Sequence, residues 1–553
     1  MPPRDGQDDE AGKSRPGTTS PSRSITTIDA AIAHCANHCN HPVPSPGFIP
    51  SRLLFVGSYD DDDKVRVMTR AEFRKSTTAN GKCDKYAALS YCWGPPGDAL
   101  AQCKTTRNSL PARLKHVPGS ELSPVVRDAV AVARRLGIPY LWIDSLCIVQ
   151  DDVADWEAES GLMGAIYSNA YVTIVGLNSA SCRVGFLAGR ADWPYLSTRS
   201  TSTTATNNKE EMEEDVNEKE EGYDDTNTWQ FAAALNKARW STRGWTFQEK
   251  SLSTRLLYFD SANVHLRCAN YTFRDGRAGP VLGKQPSIFE HYGHSEEETA
   301  LSVTESWRNV LVPRFAGCLF SVATDKLPAI AGIAKHFGDV TGYEYAAGLW
   351  VPCLERDLAW SCAPQHLCLE DLLDALDPLE ERYIAPSWSW ARAPGPMERL
   401  AFLDIPSSTT AHQSLEVVAE FIKADVGLVG SNPYGRVSGG KLVVVSKIMP
   451  LVAVEYGKVI QNNDEESWFE LDWIVKDDEL EKLPAGLEMV TIGSYTDWHG
   501  DGKGRRKVYG IVVHPVGRLP GKYYRVGLFN CCHVDGDSWL GFESMTLRMI
   551  EII

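Results

Sequence analysis

Between Tyr86 and Val175, short apolar runs alternate with stretches of helical periodicity. Tyr86–Tyr91 reads as a strand, and Cys92-Trp93-Gly94-Pro95-Pro96 is its sharp exit loop. Ser123-Pro124 opens a helix whose apolar face is Val126, Ala129, Val130, Ala133 and Leu136, and Gly137 ends it. Tyr140–Ile143 is a second strand. Asp151 and Asp152 then offer N-caps to a helix in which Trp156, Glu159, Met163 and Tyr167 recur at helical spacing; Asn169 closes it, and Tyr171–Val175 is a third strand. Strand, helix, strand, helix, strand is a βαβαβ unit with right-handed crossovers, so a doubly wound parallel sheet is expected. Ligands of such sheets sit beyond the carboxyl ends of the strands, where Asp144, Ser145 and Cys147 fall.

The flanks differ from this core. Arg52–Val56 and Val65–Met68 read as a hairpin around the acidic turn Asp60–Asp63. In the third polar–aromatic stretch, Ser241 or Thr242 is placed to cap a short helix through Glu249. Leu256–Phe259 follows as a strand, with Val264–Arg267 as its partner. Residues 300–375 are mainly helical by pattern, and from about Leu415 the pattern becomes short strands in an antiparallel arrangement. Residues 1–30 read as a disordered tail. The Ser/Thr-rich and then acidic run 197–228 reads as a flexible insertion, or more sharply as a phosphorylated acidic docking segment. The division expected is 1–30, 31–270 (hairpin, βαβαβ core and insertion), 271–400 (mainly helical) and 401–553 (β-rich).

A chain of 553 residues exceeds a single core. Its net charge of −16 excludes a general nucleic-acid binder. No apolar stretch is long enough for a membrane span, the polar N-terminus is no secretory signal, and the 14 cysteines are scattered; a cytoplasmic protein with reduced thiols is expected. Near the N-terminus stand His34, Cys35, His38, Cys39 and His41. These are zinc-type ligands, but the spacing fits no standard finger and no second Cys/His pair follows nearby, so a small helix with buried thiols is expected in preference to a zinc site and no metal is assigned.

YAALSYCWG, then YLWIDSLCIVQDDVADWEAESGLMGAIYSNAYVTIVG, then WSTRGWTFQEKSLSTRLLYF resemble the three blocks of the heterokaryon incompatibility (HET) domain, in the right order and with an insertion between the second and third. DKLPAIAGIAKHF, GLW at Gly348–Trp350, APSWSWA, NPYGRVSGGKL and YYRVGLF are similar to the regions that follow that domain. The resemblance implies a fungal intracellular protein of non-self recognition and regulated cell death, working through protein partners or self-association. It also implies a flavodoxin-like fold related to Toll/interleukin-1 receptor (TIR) domains. That core would be followed by the helical segment and the β-rich region.

Some TIR domains cleave NAD with one helix-borne glutamate, and Asp155-Trp156…Glu159 resembles that stretch, with the acid three residues after the tryptophan where the TIR pattern has four. Glu159 is therefore the candidate catalytic residue of an NAD-cleaving alternative, in which NAD is a substrate and the carboxylate stabilises an oxocarbenium-like sugar. The plain alternative is a structural acid paired with an arginine. Asp144 suits ribose binding or a cap. Cys147 suits a core thiol better than a nucleophile. Arg243 suits a phosphate or an ion pair with Asp144, Asp152 or Glu159. Trp93 and Trp245 suit base stacking or ordinary burial. Ser90, Trp93, Asp144, Ser145, Arg243, Gln248 and Glu249 form the candidate ligand-binding set, for a nucleotide. No phosphate-binding loop or dinucleotide fingerprint is present.

Overall fold

Side-chain parity sets the two faces of the central sheet in the computed structural model of the chain. Ala87 and Leu89 of β3 (Ala87–Ser90) share one core with Leu141 and Ile143. Tyr86 and Ala88 share the other with Tyr140 and Trp142. The structure describes residues 28–39, 41, 45, 47–57, 65–80, 85–187, 225–261, 263–269, 271–274, 277–280, 296–363, 368–377, 383–393, 395–397, 399–405, 415–451, 453–455, 458–459, 468–473, 486–498, 504–533 and 546–553.

The other strands of this sheet are β1 (Arg52–Phe55), β2 (Arg66–Thr69), β4 (Tyr140–Trp142), β5 (Val172–Gly176), β6 (Arg255–Phe259), β7 (Val264–Cys268), β8 (Tyr271–Arg274) and β9 (Arg277–Pro280). Their order is β2-β1-β4-β3-β5-β6-β7-β8-β9. Pairs β3–β4, β3–β5 and β5–β6 are parallel. The expected β1–β2 hairpin joins the same sheet, with β1 antiparallel to β4, and β7 pairs with β6 as the pattern suggests. The sheet thus mixes a parallel centre with antiparallel flanks, and it continues past residue 270 to β9. The acidic turn Asp60–Asp63, the tail 1–27 and the insertion as far as residue 224 lie outside the described residues; residues 225–228 open the helix Asp225–Lys237.

The helix Pro124–Arg135 buries Val125, Val126, Ala129, Val130, Val132 and Ala133 against the Leu89 face. Gly137 at φ 68° ends it, as its left-handed conformation favours glycine. The helix Val153–Asn169 covers the opposite face through Met163, Ile166 and Tyr167. Of the two candidate caps, Asp152 takes the role, its Oδ1 accepting from the N–H groups of Ala154 and Asp155 at 3.1 and 3.2 Å.

The third block departs from expectation. A 3₁₀ turn spans Arg239–Thr242, the helix begins only at Gly244 and runs to Leu252, and neither Ser241 nor Thr242 caps it. A passing backbone does that work. The Leu319 N–H donates to the Thr242 carbonyl at 2.7 Å, and the Gly244 N–H donates to the Leu319 carbonyl at 3.0 Å.

After the sheet, helices Glu296–Ser306, Val312–Ala316 and Ala331–Thr341 build the expected helical segment. It also carries two small antiparallel ribbons, Tyr345–Ala346 with Leu349–Trp350 and Trp360–Ser361 with Ala401–Phe402. Trp307, Trp350, Trp360, Trp388 and Trp390 are fully buried in one core with residues of the C-terminal sheet. Among the described residues that sheet has ten strands, longer than the turn signals suggest, the longest being the 14 residues of Val437–Pro450. It also contains one parallel pair, Lys522–His533 with Leu547–Ile552, which carries the end of the chain back to Ser387; the Ser387 N–H donates to the Ile553 carbonyl at 3.1 Å. Among the described residues no helix is long and apolar enough to cross a membrane.

Candidate functional site

The carboxyl end of β3 is where the three sequence blocks meet. Ser90 is the last residue of β3 and is 1% exposed. Its hydroxyl accepts from Trp240 Nε1 at 2.7 Å and donates to the Glu249 carboxylate. Trp240 comes from the 3₁₀ turn and is held edge-on to Tyr258 of β6. Glu249 comes from the helix Gly244–Leu252 and is 6% exposed. Burial pushes its carboxyl up to about 7; the nearby Asp144 acid raises it further, while the Ser90 bond, Arg243 and Tyr167 oppose the shift. Tyr167, reaching over from the middle block, donates to the Leu89 carbonyl at 3.1 Å.

Asp144 is separated from the end of β4 by one residue, Ile143, and is half-buried. Its Oδ2 accepts from Trp93 Nε1 at 2.7 Å, which pins the β3 exit loop, and its Oδ1 accepts from the Ser145 N–H at 2.7 Å; the cap position of the short turn is Ile143, so Asp144 is not its cap. Burial raises its carboxyl above the ordinary range, and the bonds from Trp93 and the Ser145 N–H, then Arg243, oppose that. Ser145 is buried, with its hydroxyl 3.1 Å from the Tyr91 hydroxyl, which also reaches Gln102 Oε1 at 3.0 Å. Arg243 Nη1 donates to the Tyr91 carbonyl at 3.0 Å, and its charge acts on both Asp144 and Glu249. The arrangement is one buried acid, Glu249, one half-buried acid, Asp144, and one cation, closed in by indoles and hydroxyls. Carboxyls raised beside a cation are the raw material of proton transfer, and equally of a buried polar lock.

Two of the sequence candidates stand elsewhere. Glu159 is 3% exposed on the helix Val153–Asn169, with its Oε1 3.6 Å from Arg52 of β1. Burial raises its carboxyl; Ser51, Arg52 and Arg70 oppose the shift, and Asp155 adds to it. Arg52 is itself held by both Asp155 oxygens, at 2.6 and 2.7 Å, and by the Cys147 carbonyl. Gln248 turns the other way from its neighbour Glu249. Its Oε1 accepts from the Gly332 N–H at 2.6 Å, where a Cβ on Gly332 would stand 2.6 Å from the Gly164 Cα. It serves the crossing of two helices.

The remaining alternatives also resolve. Asp152 pairs with Arg107 at 3.0 Å, leaving Asp144 as the acid that Arg243 faces among the three considered. Cys147 is a core thiol, pushed up to about 12 by burial. Trp245 donates to Asp325 at 3.0 Å and packs edge-on against Trp156. Sequence reasoning missed Trp240, Tyr91, Tyr167 and Arg52. Trp240, Tyr91 and Tyr167 each lie in one of the three blocks, where a polar-tipped aromatic beside an acid was the available signal. Arg52 carried none, because its partners are remote in sequence.

With this geometry in place, comparison with known families is informative: residues 86–249 match the family model described as heterokaryon incompatibility protein (HET). The match begins at the strand that ends in Ser90 and finishes on Glu249. No curated protein and no solved structure matches the chain.

Proposed function

We propose that this chain, a heterokaryon incompatibility (HET) domain protein, acts as a cytoplasmic signalling module of fungal non-self recognition that self-associates and triggers regulated cell death. The HET domain supports a role of heterokaryon incompatibility type. The observation that carries the signalling reading is the enclosure of Glu159. Glu159, the acid whose surroundings resemble the glutamate stretch of NAD-cleaving TIR domains, is buried, tied to Arg52, and outside the group formed by Asp144, Arg243 and Glu249. In this reading the Ser90–Glu249 centre locks the three blocks into one domain. The expected domain of residues 31–270 extends through β8 and β9 of the same sheet, followed by a helical region to residue 400 and a β-rich region, 401–553. The parallel strands run in space as second, first, third, fourth in chain order, which supports a flavodoxin- or TIR-like core.

The test joins two measurements on the full chain: light scattering on purified protein across a concentration series, and viability of cells after induced expression. Concentration-dependent assembly together with death supports the module. A protein that stays monomeric while still killing cells overturns self-association, and one that never kills overturns the death role.

A second reading has its own support. A Glu249 carboxyl at about 7, beside Asp144 and Arg243 and beyond the ends of β3 and β4, suits an acid–base pair acting on a nucleotide such as NAD. It would use Glu249, with Trp93 as an aromatic wall, and it requires the closed centre to open. Nicotinamide release by wild type but not by Glu249→Gln would favour this reading.

A further inference from the structure

The helix Ile28–His38 lies against the sheet, its buried Ile28, Ala31, Ile32 and Cys35 packed in one core with Leu266 and Cys268 of β7. The turn continues one residue beyond the helix: the Cys39 N–H donates to the Cys35 carbonyl at 3.1 Å, and the His41 N–H then donates to the Cys39 carbonyl at 3.0 Å. Cys35 and Cys39, four residues apart, therefore face the same side. The chain folds back so that His41 Nε2 stands 3.1 Å from Cys35 Sγ. Cys268, the last residue of β7, reaches the same point from the sheet. The ligand atoms of Cys35, Cys39, His41 and Cys268 all lie within 4.8 Å of one another, two of the residues buried and two half-buried.

We propose that these four residues bind one zinc ion in a closed, structural three-thiolate, one-imidazole site. Donor type argues for zinc, since sulfur-rich tetrahedral sites with one imidazole suit it and exclude magnesium and calcium. Geometry agrees. Bonds of about 2.3 Å to sulfur and about 2.0 Å to nitrogen hold tetrahedral ligand atoms roughly 3.5–3.8 Å apart, so closure asks for shifts of about 1 Å. Each thiol releases its proton to solvent on binding, leaving one excess negative charge on the zinc–ligand group. A counter-cation is already aimed at it: Arg255 Nε donates to Cys35 Sγ at 3.2 Å while its Nη1 is anchored on the Tyr171 carbonyl at 3.0 Å. Guanidinium donation to a ligating sulfur is the outer-shell support such sites use. None of the described cysteine side chains is in a disulfide. The two other histidines of the segment are not among the four clustered ligand atoms; His34 lies within electrostatic reach of Cys268 and stacks on His38 with ring centres 4.4 Å apart, and His38 Nδ1 bonds the His34 carbonyl.

The ion would clamp the N-terminal helix to β7, a strand reached only after the long insertion. That explains why the local spacing matches no finger: the fourth ligand comes from the far side of the domain.

The test uses the full chain, purified under reducing conditions without added metal or chelator. Elemental analysis should find one zinc per chain. Wild-type protein reloaded with cobalt(II) should show intense sulfur-to-cobalt charge transfer in the near ultraviolet and the visible bands of a tetrahedral site. Cys268→Ser and His41→Ala should each lose most of the zinc, while His38→Ala and Cys103→Ser keep it. The cobalt spectrum needs no variant, so it decides the matter even if Cys268→Ser does not fold. Zinc-free protein that takes up no cobalt, a cobalt form without the sulfur band, full zinc in Cys268→Ser, or a Cys35–Cys268 disulfide found by mass spectrometry would each overturn the proposal.

Discussion

Ser90 and Glu249 stand 159 residues apart in the chain and are joined by a buried hydrogen bond at the carboxyl end of β3. The same hydroxyl receives the Trp240 indole N–H, so one serine side chain links the first block of the domain to two points of the third. Removing it strands a buried donor and a buried acceptor together. Ser90→Ala should cost about 2–3 kcal/mol of stability, read as a lower denaturant midpoint with an unchanged slope. Ser90→Thr, which keeps the hydroxyl, should recover part of this. Equal stability for Ser90→Ala and wild type would remove the bond from any structural role.

Glu249 should make stability fall as pH rises. Its folded carboxyl sits at about 7 while the unfolded one is near the ordinary 4.5, so between these values the folded chain holds the proton and the unfolded chain does not. Folding is therefore penalised progressively from about pH 4.5 to about pH 7, by an amount on the order of 3 kcal/mol, and the penalty is constant above that. Glu249→Gln mimics the protonated acid and should lack the slope. Denaturant titrations at pH 5 and pH 8 should show the variant gaining on wild type at the higher pH. Parallel behaviour at both pH values would contradict the buried, raised carboxyl.

Arg52 ties β1 to the helix Val153–Asn169 through Asp155, with Glu159 behind it. Arg52→Ala leaves two acids facing each other with little water, and should cost about 3 kcal/mol. Glu159→Gln should cost about 1 kcal/mol or less, because the Asp155 pair survives. A larger loss from Glu159→Gln than from Arg52→Ala would invert the roles assigned to them.

Two glycines decide how the sheet region meets the helical segment. A Cβ on Gly332 would lie 2.6 Å from the Gly164 Cα and 2.7 Å from Gln248 Oε1. Backbone cannot give way as a flexible side chain can, so Gly332→Ala should cost about 2–3 kcal/mol. Gly342→Ala, at an open left-handed position, should act through backbone strain alone and cost about 1 kcal/mol. A neutral Gly332→Ala would mean the helices can separate freely.

Local periodicity made the core of this fold legible. The strands ending near Ser90, Ile143 and Val175 and the two helices between them follow from apolar spacing, because both faces of the central strands are buried. The start of the Gly244–Leu252 helix was not legible, since its cap is the backbone at Leu319 and no side-chain signal marks such a partner. For the same reason only the order of the blocks groups Glu249 with Ser90 and Asp144, and that order also brings in its neighbour Gln248, which points to Gly332 instead. Adjacent helical positions differ by about 100° in direction, which sequence proximity does not reveal. Helical spacing puts Glu159 on the helix Val153–Asn169, but its partner Arg52 comes from β1, outside all three blocks.

The central proposal, that this protein signals without cleaving NAD through Glu159, is tested most directly by nicotinamide release from NAD by the purified chain, with wild type and Glu159→Gln side by side across the concentration series used to test assembly. The account predicts no release above the protein-free control from either. Release by wild type that Glu159→Gln abolishes, with folding of the variant intact, would contradict it.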